Sequence, residues 1–233
     1  MLRAESLRVF LKGIEVLRGT SLAVEKGRVT CLLGRNGAGK TTTLKTIMGF
    51  YVPREGTVEM EGRDITALPV HERARLGIGY TPEDLRIFPW LTVEENIALS
   101  ARLARRDERE AMELALATFP ELRKLLNRKG YYLSGGEKRM VAVARTLVQR
   151  PKYLLLDELL EGLAPVVAER LTKALRSIAG EGIGVLAAES NVILAKALAD
   201  SVYVIERGEI IYRGSVEEAL SKEEVARAIG ISA

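Results

Sequence analysis

The stretch GRNGAGKTT, residues 34 to 42, constrains the fold more than any other part of the chain. It satisfies the spacing G-x-x-x-x-G-K-[ST], and it lies between the apolar run VTCLL and the helical pattern KTTTLKTIMG. Such a loop needs a buried strand to aim it and a following helix whose N-terminus attracts negative charge. Its glycines let successive backbone N–H groups turn inward around a phosphate chain. Gly34, Arg35, Asn36, Gly37, Ala38 and Gly39 are therefore expected to form the cradle, with Thr42 in the first helical turn. Lys40 is placed to reach the outer phosphates, and the Thr41 hydroxyl to ligate Mg²⁺.

The pattern on either side of this loop predicts an α/β fold. Residues 3 to 33 read as extended, and GTVEMEG, GIGYTP, KYLLLD, IGVLAA and SVYVIERG read as further strands separated by helices. An exposed helix is predicted from Pro69, and a closing helical tail after SVYVIERG. Strands alternating with helices of this length imply a mainly parallel sheet with helices on its faces. Between about residues 85 and 149 the period changes to helix throughout, in TVEENIALSARLARR, EREAMELALATF, PELRKLL and EKRMVAVARTLVQ. The predicted architecture is one domain, residues 1–233: a core of 1–84 and 150–233 with an antiparallel N-terminal β part, and an inserted helical subdomain at about 85–149.

Two further motifs carry chemistry. YLLLDE, residues 153 to 158, is an apolar strand ending abruptly in two carboxylates, which places them at the carboxyl edge of a parallel sheet, where such sheets bind ligands. Asp157 is expected to hold the Mg²⁺ water shell, and Glu158 to polarise the water that attacks the γ phosphate. YYLSGGEKRM, residues 131 to 140, sets Ser134, Gly135, Gly136 and Glu137 at the start of a helix, a second potential anion seat.

GRNGAGKTT, LSGGE and YLLLDE, in that order and with a helical insertion before the second, resemble the ATP-binding subunits of ABC transporters over essentially the whole chain. The resemblance implies a P-loop NTPase that binds ATP and Mg²⁺. It also implies two subunits facing head to tail, so that Ser134, Gly135, Gly136 and Glu137 of one close on the nucleotide held by the other. Some positions depart from the family pattern. Glu83 stands where a metal-contacting glutamine is usual, and Ser190 where a histidine usually contacts the γ phosphate. Leu159 replaces a proline and Ala164 an aspartate. Leu11 stands where an aromatic residue stacks on adenine, with Phe10 one place early as the candidate for that role. LSGGE, EGLAP and ALPVHERARLGIGYTPEDLRIFPWLTVEENI resemble the importer branch for branched-chain amino acids and related amides, in particular its smaller ATP-binding subunit. That implies a second ATP-binding subunit, identical or different, integral membrane permease subunits, and indirectly a solute-binding protein.

Composition bounds the alternatives. The 35 basic and 31 acidic residues are spread along the chain with few aromatics among them, so nucleic acid is not indicated as a partner. A soluble ABC ATPase of DNA repair would need a coiled-coil insertion or a tandem cassette, and a small-molecule kinase would leave LSGGE unexplained. Cys31, the one cysteine, excludes a disulfide framework. With no apolar run of membrane-spanning length and no signal-peptide layout, the chain is expected in the cytosol; the permease partners that the resemblance implies would hold it peripherally at the cytoplasmic face of the cell membrane.

Overall fold

In the computed structural model, which describes residues 1–230, the chain forms two sheets and a set of helices. The N-terminal part contains β1 (Leu2–Leu11), β2 (Ile14–Val24), β3 (Val29–Leu33), α1 (Lys40–Met48), β4 (Glu55–Met60), β5 (Arg63–Asp64), α2 (Val70–Leu76) and β6 (Ile78–Thr81). The helical segment contains α3 (Val93–Leu103), α4 (Glu108–Thr118) and α5 (Gly135–Leu147). The remainder is β7 (Tyr153–Asp157), α6 (Pro165–Gly180), β8 (Gly184–Glu189), α7 (Val192–Leu198), β9 (Ser201–Glu206), β10 (Glu209–Gly214), α8 (Val216–Ser221) and α9 (Glu223–Ala228).

The larger sheet has the order β10-β9-β3-β8-β7-β6, parallel throughout except for β10, which runs antiparallel to β9. The smaller sheet, β2-β1-β4-β5, is antiparallel. Alternation along β7 shows how the layers meet. Leu154 and Leu156 join the core formed with α3, α5 and α6, while Tyr153 and Leu155 join the one formed with α1 and the smaller sheet. Because β3, β7 and β8 are buried on both faces, each reads as a continuous apolar run, as buried parallel strands do.

Two elements differ from the sequence reading. PELRKLL was expected as an α-helix, and the structure has a 3-10 helix at Pro120–Leu125, entered from Phe119 and opening on a proline. The tail expected to be helical begins with β10, whose EIIYRG segment follows the left-handed turn at Arg207 and Gly208 and pairs back on β9. The helix predicted from Pro69 is present, yet its Arg73 is completely buried. The guanidinium donates to the carbonyls of Thr46 and Ile47 at the end of α1, and to Thr66 and Leu68. Burial lowers this guanidinium's pKa and the nearby charge of Asp64 opposes the shift. Arg73→Met strands several buried carbonyls, so it is expected to cost about 3 kcal/mol and lower the unfolding midpoint by roughly 6–12 °C. A calorimetric shift below about 2 °C would show that these bonds are replaced by water.

Candidate active site

The phosphate loop is aimed from the end of β3. Gly39 precedes α1 with φ at 114°, a left-handed conformation that a residue with a Cβ adopts only under strain, and this starts the helix directly over the loop. The Lys40 side chain is folded inward and buried. Its ammonium donates to the Gly34 carbonyl at 2.8 Å and the Arg35 carbonyl at 3.1 Å, and lies 3.1 Å from Glu158 Oε1. One residue on, the Thr41 hydroxyl donates to Asp157 Oδ1 at 2.9 Å. The sheet thus brings together the lysine, the threonine and both carboxylates from segments more than a hundred residues apart.

Asp157 and Glu158 differ in environment. Burial raises the Asp157 carboxyl above the ordinary aspartate value, and the charge of Glu158 adds to this, against the hydroxyls of Thr41 and Tyr80. Burial also works to raise Glu158, but its hydrogen bonds with Glu161 and Lys40 outweigh that and hold it below the ordinary value. Glu161 moves the other way, raised first by sharing that hydrogen bond and then by burial. The backbone of Glu158 sits at φ 47°, a strained angle for a side chain of this kind, and its N–H is tied to the Ala188 carbonyl. An ionised acid therefore stands at the sheet edge beside an ammonium, in a conformation the fold imposes.

The other expected residues fall in three places. Glu83 lines a cavity of about 800 Å³ that also takes in Thr41 and Asp157, and extends to Ser100 and Arg145 of the helical segment. Ser190 is half-buried just beyond β8, the strand between β3 and β7. Phe10 lies on β1, partly exposed, with the Arg54 guanidinium 5.4 Å from its ring centre.

Ser134, Gly135, Gly136 and Glu137 form a separate exposed seat at the start of α5. Ser134 Oγ accepts from the Glu137 N–H, and Glu137 Oε2 accepts from the Ser134 N–H. Since the hydroxyl oxygen is the acceptor here, its proton remains free to be donated outward. Gly136 packs against α6 so closely that a Cβ would lie 2.6 Å from Val167 Cγ1. This seat is linked to the first site through Arg139, which donates to the Glu161 carbonyl at 2.7 Å.

Sequence reasoning missed three contributors. Tyr80 donates its hydroxyl to Asp157 Oδ2 at 3.0 Å, and nothing in GIGYTP marks it. Glu161 reads as loop charge. Glu189 ends the apolar strand GVLAAE, the same signal that singled out Asp157 in YLLLD, and it is 1% exposed.

A family model described as ABC transporter matches residues 17–161. The chain belongs to this family. Among relatives of this ABC ATPase, the lipopolysaccharide export system ATP-binding protein LptB of Acidithiobacillus ferridurans is 36% identical over 220 residues, covering 94% of this chain and 91% of that protein. The probable branched-chain amino acid transport ATP-binding protein LivF of Archaeoglobus fulgidus is 36% identical over 225 residues, covering 96% and 95%. A crystal structure of the ADP conformation of an ATP-binding cassette of an ABC transporter superposes with a TM-score of 0.86 at 30% identity, covering 99% of this chain and 98% of that one. The protein is thus an ATP-binding subunit of an ABC transporter, an ATPase whose hydrolysis is coupled to transport.

Proposed function

We propose that this ABC ATPase is the motor of an importer for branched-chain amino acids or related amides. The observation that carries the hydrolytic part is the convergence of Thr41 on Asp157 at 2.9 Å and of Lys40 on Glu158 at 3.1 Å. Residues 34 to 42 hold the ATP phosphates, with Lys40 leaving Glu158 for the outer phosphates as nucleotide enters. Phe10 is the candidate neighbour of the adenine ring.

Two hard oxygens, Thr41 Oγ1 and Asp157 Oδ1, already adjacent and one of them on an acid that burial disfavours as an anion, suit a divalent cation with oxygen ligands. Thr41 and Asp157 would hold Mg²⁺, with Glu83 as a further oxygen ligand, and the cation would neutralise phosphate charge. Glu158, ionised and freed from Lys40, accepts the proton of the attacking water. Ser190 donates a single neutral hydrogen bond near the outer phosphate, a weaker contact than a cation would make.

Ser134, Gly135, Gly136 and Glu137 close on the nucleotide of a second ATP-binding subunit, either a copy of this chain or a different one. The free Ser134 proton and the α5 N-terminus favour the terminal phosphate until it is cleaved. Residues 85–149 act as an inserted helical subdomain against a core of 1–84 and 150–233. The segment around residues 83 to 97 passes closure to integral permease subunits. Among the described residues no helix is long and apolar enough to cross a membrane, so on this reading the chain is held peripherally at the cytoplasmic face by those subunits. A solute-binding protein delivers the cargo, and nucleic acid has no part.

Lipopolysaccharide export is the second reading, favoured by the likeness to LptB. Membranes solubilised in detergent and reconstituted in vesicles separate the two. Import predicts ATP turnover stimulated by a branched-chain amino acid with its binding protein, and stimulation by lipopolysaccharide alone would replace that reading.

A further inference from the structure

Glu189 has no part in the scheme above, and it touches three pieces of the active site at once. Its backbone carbonyl accepts from the N–H of Gly34, the first residue of the phosphate loop, at 3.3 Å. Its side-chain Oε1 accepts from the N–H of Leu160, in the loop that follows Glu158, also at 3.3 Å. Its neighbour in sequence is Ser190. In the sheet it pairs with Leu33 at the end of β3, while Ala188 pairs with Asp157. The side chain is buried, and its second oxygen, Oε2, has no hydrogen-bond partner among the described residues. A buried polar atom without a partner is rare in folded proteins.

We propose that Glu189 is a positioning residue for ATP hydrolysis: its buried carboxyl clamps the loop after Glu158 to the end of β8 and so keeps Glu158 aimed when Lys40 moves to the phosphates. The inference rests on Glu158 being the residue that polarises the attacking water. The loop is held on its other side by Arg139, through the Glu161 carbonyl, but that bond reaches it from α5 in the helical segment, outside the sheet that carries the phosphate loop. Glu189 belongs to the rigid sheet. It is the anchor that stays fixed relative to the phosphate loop, since one residue holds both Gly34 and Leu160.

The form that suits this task is the neutral acid. Burial pushes Glu189 up to about 8, the charges of Glu158 and Glu161 push it the same way, and the Leu160 N–H and Lys40 oppose them. Cys31 of β3 is raised first by burial and then by the charge of Glu189, so its thiol stays protonated and adds no charge of its own. A proton on Oε2 leaves Oε1 as the acceptor for Leu160 and adds no further negative charge beside the ionised Glu158. An amide can do the same, with its carbonyl in place of Oε1.

The test compares Glu189→Gln, Glu189→Leu and Glu158→Gln in the full-length chain with Mg-ATP, reading kcat and KM together with amide hydrogen exchange across residues 158–164. Glu189→Leu is expected to lower kcat by about tenfold or more with KM changed less than about threefold, because geometry rather than binding is lost. Its Leu160 amide should exchange about tenfold faster or more. Glu189→Gln should keep both quantities within about threefold of the unmodified chain. Normal kcat or normal Leu160 exchange in Glu189→Leu overturns the proposal, as does a Glu189→Gln variant impaired to the same degree. If Glu189→Leu does not fold, the unmodified chain decides: a Leu160 amide exchanging as fast as an exposed one shows that there is no clamp. Full turnover in Glu158→Gln would instead remove the reading of Glu158, while the exchange result would still report on the clamp.

Discussion

Glu158→Gln is expected to reduce ATP turnover by roughly 10²- to 10⁴-fold while leaving nucleotide binding intact. The amide keeps the size of the carboxylate, and the strained backbone at φ 47° is already accepted by a side chain of that shape. What is lost is the negative charge that accepts a proton from water. The resting contacts predict the direction of the binding change as well. Lys40 is held 3.1 Å from Glu158, so nucleotide must draw the ammonium away from a partly buried carboxylate before the phosphates can use it. The uncharged amide of the variant competes less for Lys40, and ATP should bind as tightly or more tightly. With cleavage blocked, two subunits should stay closed around Mg-ATP and open with Mg-ADP. Phosphate release and light scattering after gel filtration measure the two effects. Turnover within about threefold of the unmodified chain would remove Glu158 from its proposed role.

That prediction uses a site whose parts were unequally legible in the sequence. The phosphate loop could be read because its backbone geometry demands glycine and lysine at fixed spacing, and flanking strand and helix patterns left few other conformations for it. Asp157 could be read because a fully buried strand cannot continue into charge, so its end had to lie at the sheet edge. The same rule applied to GVLAAE would have placed Glu189 in the site, and only the choice of motif obscured it. Tyr80 was hidden because its hydroxyl becomes functional only through β6 pairing with β7, a contact between segments 77 residues apart at the atoms concerned. Arg73 was hidden by the opposite problem. An arginine in a short amphipathic helix normally marks a solvated face, whereas here it closes the end of α1 by donating to the buried carbonyls of Thr46 and Ile47. β10 was missed because six residues with little burial carry almost no periodicity, and what defines it is the turn at Arg207 and Gly208.

Glu189 also makes the stability of the fold depend on pH in a direction that can be worked out. In the unfolded chain its acid ionises near the ordinary value of 4.5, whereas in the folded protein burial holds the proton up to about 8. Between those values the native state binds more protons at this position than the unfolded state does. Stability from this group is therefore fully present below about pH 4.5 and declines as pH rises towards 8, where the decline ends. Asp157, Glu158 and Glu161 titrate as well, but they do so in both proteins when Glu189→Gln is compared with the unmodified chain, so their contributions largely cancel. The amide of the variant cannot ionise and carries no such cost. The two proteins should match within about 1 kcal/mol at pH 5, and by pH 8.5 the variant should be the more stable by on the order of a few kcal/mol. Urea unfolding at pH 5, 7 and 8.5 measures the gap. A gap that stays constant across that range would mean that Glu189 is charged in the native protein, and Oε2 would then need a cationic partner in place of a proton.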